Sequence, residues 1–271
     1  MDDRTTRKIR KDRRLGHLAE MRAHGGDVGA SGLQERVIHQ FLGSDPSLAL
    51  AIDRAYAHYV ELKTSRPDFL GLDEADQVRR AQQGFTNFYD LASVNPYIAA
   101  AAAGPWIITV KGAVVYDCGG YGMLGFGHAP EAVLDAINQP HVMANIMTAS
   151  VSQMTFIEYL DREIGHTRGG SPFCRYLCLN SGSEANSVAF RISDIHTKNM
   201  TDPGGRYEDS RVRGITLKGS FHGRTARPAR YSDATLDHCR KYLASFRDDD
   251  YLLTVEPNDT AGLEVAYRTA E

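Results

Sequence analysis

An α/β fold with a mostly parallel sheet, preceded by a helical N-terminal arm, is what this chain of 271 residues predicts. Three observations carry that expectation. From about residue 105, short apolar runs alternate with longer segments of helical periodicity, and strands separated by helices need crossover connections and therefore parallel pairing. Upstream, Leu48, Ile52, Ala55 and Tyr59 recur at helix spacing among the breakers Gly43, Pro46 and Gly71. Finally, two polar, glycine-bearing turns each follow an apolar run. A parallel sheet would bring both to the carboxyl ends of its strands, where ligands gather.

The elements follow in order. The first 14 residues carry seven Arg or Lys against three Asp and read as a solvated terminus rather than a transit peptide, which would be serine-rich and acid-poor. A second helix of the arm is expected over 73–83, and the arm and lead-in extend to residue 104. Ala99 to Ala103 is the one low-complexity tract. Strands are expected at 106–110, 113–117, 175–180, 212–218 and 251–255. Helices are expected at 131–139, 152–166, 183–200 and 260–271, so residues 105–271 form the sheet-bearing domain. In the helix at 183–200, Ala185, Val188, Ala189, Ile192 and Ile195 make an apolar stripe, and Arg191, Asp194 and Lys198 face water.

Composition narrows the function classes. With 42% hydrophobic residues the chain can bury a full core. A net charge of −3 gives no global attraction to nucleic acid or to anionic membranes. No apolar run approaches the roughly 20 residues of a spanning helix, and no signal-peptide core is present, so a cytoplasmic, membrane-free protein is expected. The four cysteines lack paired C-x-x-C spacing; Cys174 and Cys178 flank an expected buried strand and read as reduced structural thiols.

The chemistry lies in the two turns. Asn180-Ser181-Gly182-Ser183-Glu184-Ala185-Asn186 takes the chain from an apolar run into a helix, whose free N–H groups and positive dipole end suit a phosphate. Gly182 admits close backbone approach, and Ser183 offers an N–H and a hydroxyl. A serine cap with Glu184 in the first turn is the plainer alternative. Ser220-Phe221-His222-Gly223-Arg224-Thr225 puts an aromatic, a histidine and an arginine on a loop at a sheet end. A phosphate seat beside a flat ring and a cation suits pyridoxal phosphate.

These two motifs, with Gly125-Phe126-Gly127-His128-Ala129-Pro130 and Val255-Glu256-Pro257-Asn258-Asp259, resemble the class III aminotransferases, pyridoxal-phosphate enzymes of fold type I. The likeness covers roughly residues 105–271. It implies a transaminase moving an amino group from an amine or amino acid to an oxo acid, working as a homodimer. Ser181, Gly182 and Ser183 would hold the cofactor phosphate, and Phe221 would stack on the pyridine ring. His222 would lie near the cofactor edge or be a satisfied polar residue. Arg224 matches the arginine with which ornithine and 4-aminobutyrate aminotransferases grip a carboxylate, a task suited to its paired donors, or it braces the loop. Tyr121 falls where ornithine aminotransferases use a tyrosine on the substrate α-carboxylate, or it merely packs. Glu256 resembles an earlier strand-to-helix loop and is expected to be structural.

Two parts of the chemistry are not found. Transamination needs a Schiff-base lysine and an acid on the pyridine nitrogen, and in the family both lie beyond the position of Glu271. None of the seven lysines has the family's lysine context, Lys218 included. The expectation is therefore an N-terminal portion unable to turn over alone. The alternatives are a non-catalytic fragment or partner subunit of a complete aminotransferase, aminomutase or racemase chemistry on the same fold, and a generic nucleotide or sugar-phosphate binder. This last ranks lowest, since neither G-x-x-x-x-G-K-[ST] nor G-x-G-x-x-G occurs. Two stretches depart from the family. The helix carries Phe190 and Arg191-Ile192-Ser193-Asp194 where many relatives have a Lys and an Ala-Arg pair. Ala226-Arg227-Pro228-Ala229-Arg230 replaces a run of small residues, and its two arginines would favour an acidic substrate or face solvent.

Overall fold

A computed structural model describes residues 12–86, 91–118, 125–144, 147–247 and 251–270. The chain forms two compact units, Met1–Met143 and Ala144–Glu271.

In the first unit, α1 (Arg13–Arg22) starts where the Asp12 carboxylate accepts the Arg14 N–H at 2.9 Å. After α2 (Glu35–Leu42), the long α3 (Pro46–Ser65) begins with Asp45 as its cap and Pro46 in the first turn, where no helical N–H is missed. Short α4 (Pro67–Leu70) and α5 (Glu74–Gln82) follow, the latter close to the expected 73–83. Three antiparallel strands, β1 (Ala99–Ala103), β2 (Trp106–Thr109) and β3 (Val114–Tyr116), then lie in that order.

The sheet packs on α3. Leu48, Ala51, Ile52, Ala55 and Tyr59 are buried with Trp106 and Ile108, so the helix periodicity of the arm does mark a core face. Trp106 donates its indole N–H to Asp45 at 2.7 Å, tying β2 to the helix cap. The alanine tract forms strand β1 against its low β propensity because methyl side chains let α3 come close to the sheet. That packing joins the arm to the strands: the compact unit continues past the 104/105 division expected from sequence and ends at Met143. Gly104 and His128 pair across a single antiparallel bridge. There Gly127 (φ +75°) sits so close that a Cβ would lie 2.8 Å from the Gly104 backbone. Helix α6 (Glu131–Ile137) comes next.

The second unit contains α7 (Val151–Gly165), opened by a capping box between Ser150 and Gln153, and α8 (Gly182–Thr201). Strand β4 (Gly214–Leu217) leads through α9 (Ala226–Tyr231) and α10 (Asp233–Tyr242) to β5 (Leu252–Val255), and α11 (Thr260–Ala270) follows. β4 and β5 pair in parallel with Gly214 opposite Leu252 and Leu217 opposite Val255. The α/β class therefore holds, and the parallel sheet comprises two strands among the described residues.

Two expectations are corrected. Residues 175–180 form no strand; among the described residues no strand pairs with them, and Leu177, Cys174 and Cys178 are exposed. On α8 the apolar stripe is uncovered, with Ile192 63% exposed. The helix instead turns Ser183, Asn186, Ser187 and Phe190 toward the 222–231 segment. Hydrogen bonds to the following loop and the Phe190–Tyr231 stack, rather than the apolar stripe, set the orientation of this helix. Ala229, Leu236 and Phe246 make a small core. No described helix is long and apolar enough to cross a membrane.

Candidate functional site

The site belongs to the second unit and forms where two turns meet. Ser181 has extended backbone, and its hydroxyl accepts the Glu184 N–H at 3.2 Å. Its carbonyl takes the Ala185 N–H at 3.0 Å. The cap thus satisfies the third and fourth N–H groups of α8, and those of Gly182 and Ser183 keep no partner among the described residues. They open at the positive end of a helix of 20 residues.

The second turn leaves β4 and is pinned by hydrogen bonds. Buried Ser232 accepts the His222 N–H at 2.8 Å and lies 3.1 Å from the Gly223 carbonyl. The His222 Nδ1 lies 3.0 Å from the Tyr231 carbonyl, so it carries the proton there. Asp233 accepts the Gly219 N–H at 2.8 Å. The backbone and the ring of His222 are both held by the loop.

The turns touch directly. The Asn186 amide donates to the His222 carbonyl at 2.8 Å, the Arg224 N–H reaches Ser183 Oγ at 3.3 Å, and Ser187 meets Thr225 at 3.1 Å. Gly223 adopts φ +122°, and a Cβ there would lie 2.9 Å from Ser183 Cα. Only glycine permits both the conformation and the approach. Phe221 is half exposed, with the Arg224 guanidinium 5.1 Å from its ring centre.

Ser181, Gly182, Ser183, Phe221, His222 and Arg224 are thus gathered on one side of the unit. Tyr121 lies outside the described residues. Asn186, Ser187 and Ser232 hold the turns together, and none was given a role from the sequence. Asn186 closes the first motif and Ser187 follows it directly, but their partners lie 36 and 38 positions away. Ser232 carried no sequence signal.

The donor set fits a phosphoester. Two N–H groups without partners and the Ser183 hydroxyl converge at a helix N-terminus, and the Phe221 ring stands on the adjoining loop. Because Arg224 covers one face of Phe221, a stacked ring would use the other. Lys218 is held by Glu256 at 2.8 Å, and this hydrogen bond raises its pKa above the ordinary lysine value. Arg227 pairs with Asp194 at 2.9 Å on the far stretch of α8. No cluster of three or more His, Cys, Asp or Glu suited to a metal occurs among the described residues.

The Aminotransferase class-III family model matches residues 89–249. No curated protein matches the chain.

Proposed function

This chain belongs to the class III aminotransferases, and on that premise we propose that its second unit is the cofactor seat of a transaminase that moves an amino group from an amine or amino acid to an oxo acid. Class III enzymes use pyridoxal phosphate. One observation carries the reading: the unpaired start of α8 lies against the loop bearing Phe221 and Arg224, in contact through Ser183 and Gly223.

The division of labour follows from the geometry. Gly182 and Ser183 donate their N–H groups, and Ser183 its hydroxyl, to a dianionic phosphate, with the dipole of α8 adding to the attraction. Phe221 supplies the platform that fixes the tilt of a pyridine ring. His222 braces this platform through Tyr231 and Ser232 and needs no contact of its own with the ring. Arg224 lies on the face of Phe221 away from the stacked ring, a cation at the rim of the seat for a substrate carboxylate. When bound, pyridoxal phosphate supplies the electron sink for chemistry at that carbon.

These residues bind and orient, and no lysine among them takes the Schiff-base role. Lys218 is committed to Glu256. Turnover by these residues alone is therefore not expected. A homodimer is part of the same reading: exposed Val151, Met154 and Ile157 recur every three positions along α7, an apolar face that a second copy would cover.

The test is to titrate the chain with pyridoxal phosphate, follow visible absorbance, then reduce with borohydride and map lysine adducts. Saturable binding that weakens about tenfold or more in Gly223→Ala is expected, since a β-carbon drives the turns apart, along with no stoichiometric adduct on Lys218. Binding indifferent to Gly223→Ala, or a Lys218 adduct in an active protein, would overturn the assignment.

A further inference from the structure

A second cleft lies in the N-terminal arm, between α1 and α2. Leu15, Leu18, Ala19 and Arg22 share one face of α1 at three- and four-residue spacing, and Glu35 and Ile38 add one turn of α2. The cavity between them is about 320 Å³, within the size range of small-ligand sites. It belongs wholly to the first unit, whereas the turns at Gly182 and Gly223 belong to the second.

The cleft has an apolar length and a charged end. Buried Leu15, Leu18 and Ile38 form its floor, and the small, exposed Ala19 leaves it open. From Leu15 to Arg22 the groove follows α1 for about 10 Å at the helical rise. Arg22 and Glu35 are the charged side chains of its lining. The Arg22 Nε–H donates to the Gly112 carbonyl at 3.1 Å, which leaves the outer N–H groups of the fork free to donate. Glu35 has no partner among the described residues, and the two do not pair with each other.

One hairpin brings these charges to the same end. Gly112, which takes the Arg22 hydrogen bond, lies in the turn between β2 and β3. Two residues on, the Val114 carbonyl accepts the Leu33 N–H at 2.8 Å, just before α2 begins. The start of α2, with Glu35 in its first turn, is thereby held at the Arg22 end of the groove. A cation and an anion with free valences stand there together, and their charges cancel.

We propose that this cleft is a second ligand site, separate from the cofactor seat, for an apolar α-amino acid in its zwitterionic form. The carboxylate meets the Arg22 fork, the ammonium meets Glu35, and the aliphatic side chain lies on Leu18 and Ile38 toward Leu15. An acid without the amine leaves Glu35 facing its carboxylate, and an amine without the acid leaves Arg22 facing its ammonium. Each charge therefore rejects one half of the ligand and selects the whole.

The test uses the full chain without pyridoxal phosphate and L-leucine as probe, followed by isothermal titration calorimetry. Saturable one-to-one binding is expected. Both 4-methylpentanoate, which lacks the ammonium, and 3-methylbutylamine, which lacks the carboxylate, should bind about tenfold or more weakly, since each loses a charge-assisted contact. Glu35→Gln should weaken leucine by a similar factor and leave 4-methylpentanoate no weaker than before. Ala19→Phe fills the groove from an exposed helix position without touching its charges, and should abolish binding. Gly223→Ala, which disturbs only the cofactor seat, should leave leucine binding unchanged. Absence of saturable binding, equal affinity for leucine and either analogue, full affinity in Glu35→Gln or Ala19→Phe, or loss in Gly223→Ala would each overturn the site.

Discussion

The two units of this chain use their apolar residues in opposite ways. In the first, Trp106, Tyr59, Leu48 and Ile52 are buried in one core that α3 shares with the strands and α1. In the second, Ile192, Ile195 and Leu177 are exposed, and α8 is oriented by Asn186, Ser187 and Ser183 against the following loop. The contrast teaches that a helical apolar stripe tells which face can be buried but not whether a surface is present to bury it. It also separates stability from the site. The first unit holds the larger core, and the second holds the unpaired polar groups that a phosphate needs.

The largest effect is expected at the centre of the first unit. Trp106→Ala should cost about 3–5 kcal/mol, from the lost aromatic volume and the cavity left behind. Hydrogen exchange resolved by peptide should show this loss in the first unit only. Equal loss of protection at residues 214–242 would break the comparison.

Asp45 gives a smaller, pH-dependent effect. Burial pushes its carboxyl up, but hydrogen bonds from Ser47 and Trp106 outweigh burial and hold it below the ordinary carboxylate range. A carboxyl depressed in the folded state stabilises fully above its unfolded value, about 3.9, and the contribution fades as pH falls through the lower folded value. Trp106 is the only tryptophan, so its fluorescence reports this unit. Melting followed in this way should fall on acidification below about pH 4. Asp45→Asn should flatten that dependence and cost about 1–2 kcal/mol at neutral pH. A wild-type melt level through this range would contradict the assignment.

The smallest effect sharpens the contrast from the other side. Ile192→Ser on the exposed stripe of α8 should change stability by no more than about 0.5 kcal/mol, measured by urea unfolding with far-UV circular dichroism. A loss of several times that would show the stripe to be covered.

How much the sequence disclosed follows the same division. The buried face of α3, strands β2 to β5 other than the alanine-rich β1, and helices α6, α7, α8 and α11 were legible because local periodicity and caps specify them. The conversion of Ala99–Ala103 into a strand was not, since tertiary contact with α3 overrides a poor strand propensity. Residues 175–180 read as a strand because their apolar content is strand-like, but a strand also needs a neighbour. Helices α9 and α10 were hidden by Gly, Pro and Ser signals, although Pro228 sits in the first turn of α9, where helices tolerate it. The six site residues other than Tyr121 were named from two short motifs. The pins Asn186 and Ser232 act across 36 and 10 positions to His222, beyond what a local pattern encodes.

The central claim is that the start of α8 holds a phosphate while the neighbouring loop holds a ring. Comparing pyridoxal phosphate with pyridoxal by calorimetry, in wild type and Ser183→Ala, tests it most directly. The phosphorylated form should bind at least about tenfold more tightly to wild type, and the advantage should shrink in Ser183→Ala, which removes one charge-assisted donor. Equal affinities for the two forms, or a phosphate advantage unchanged in the variant, would contradict it.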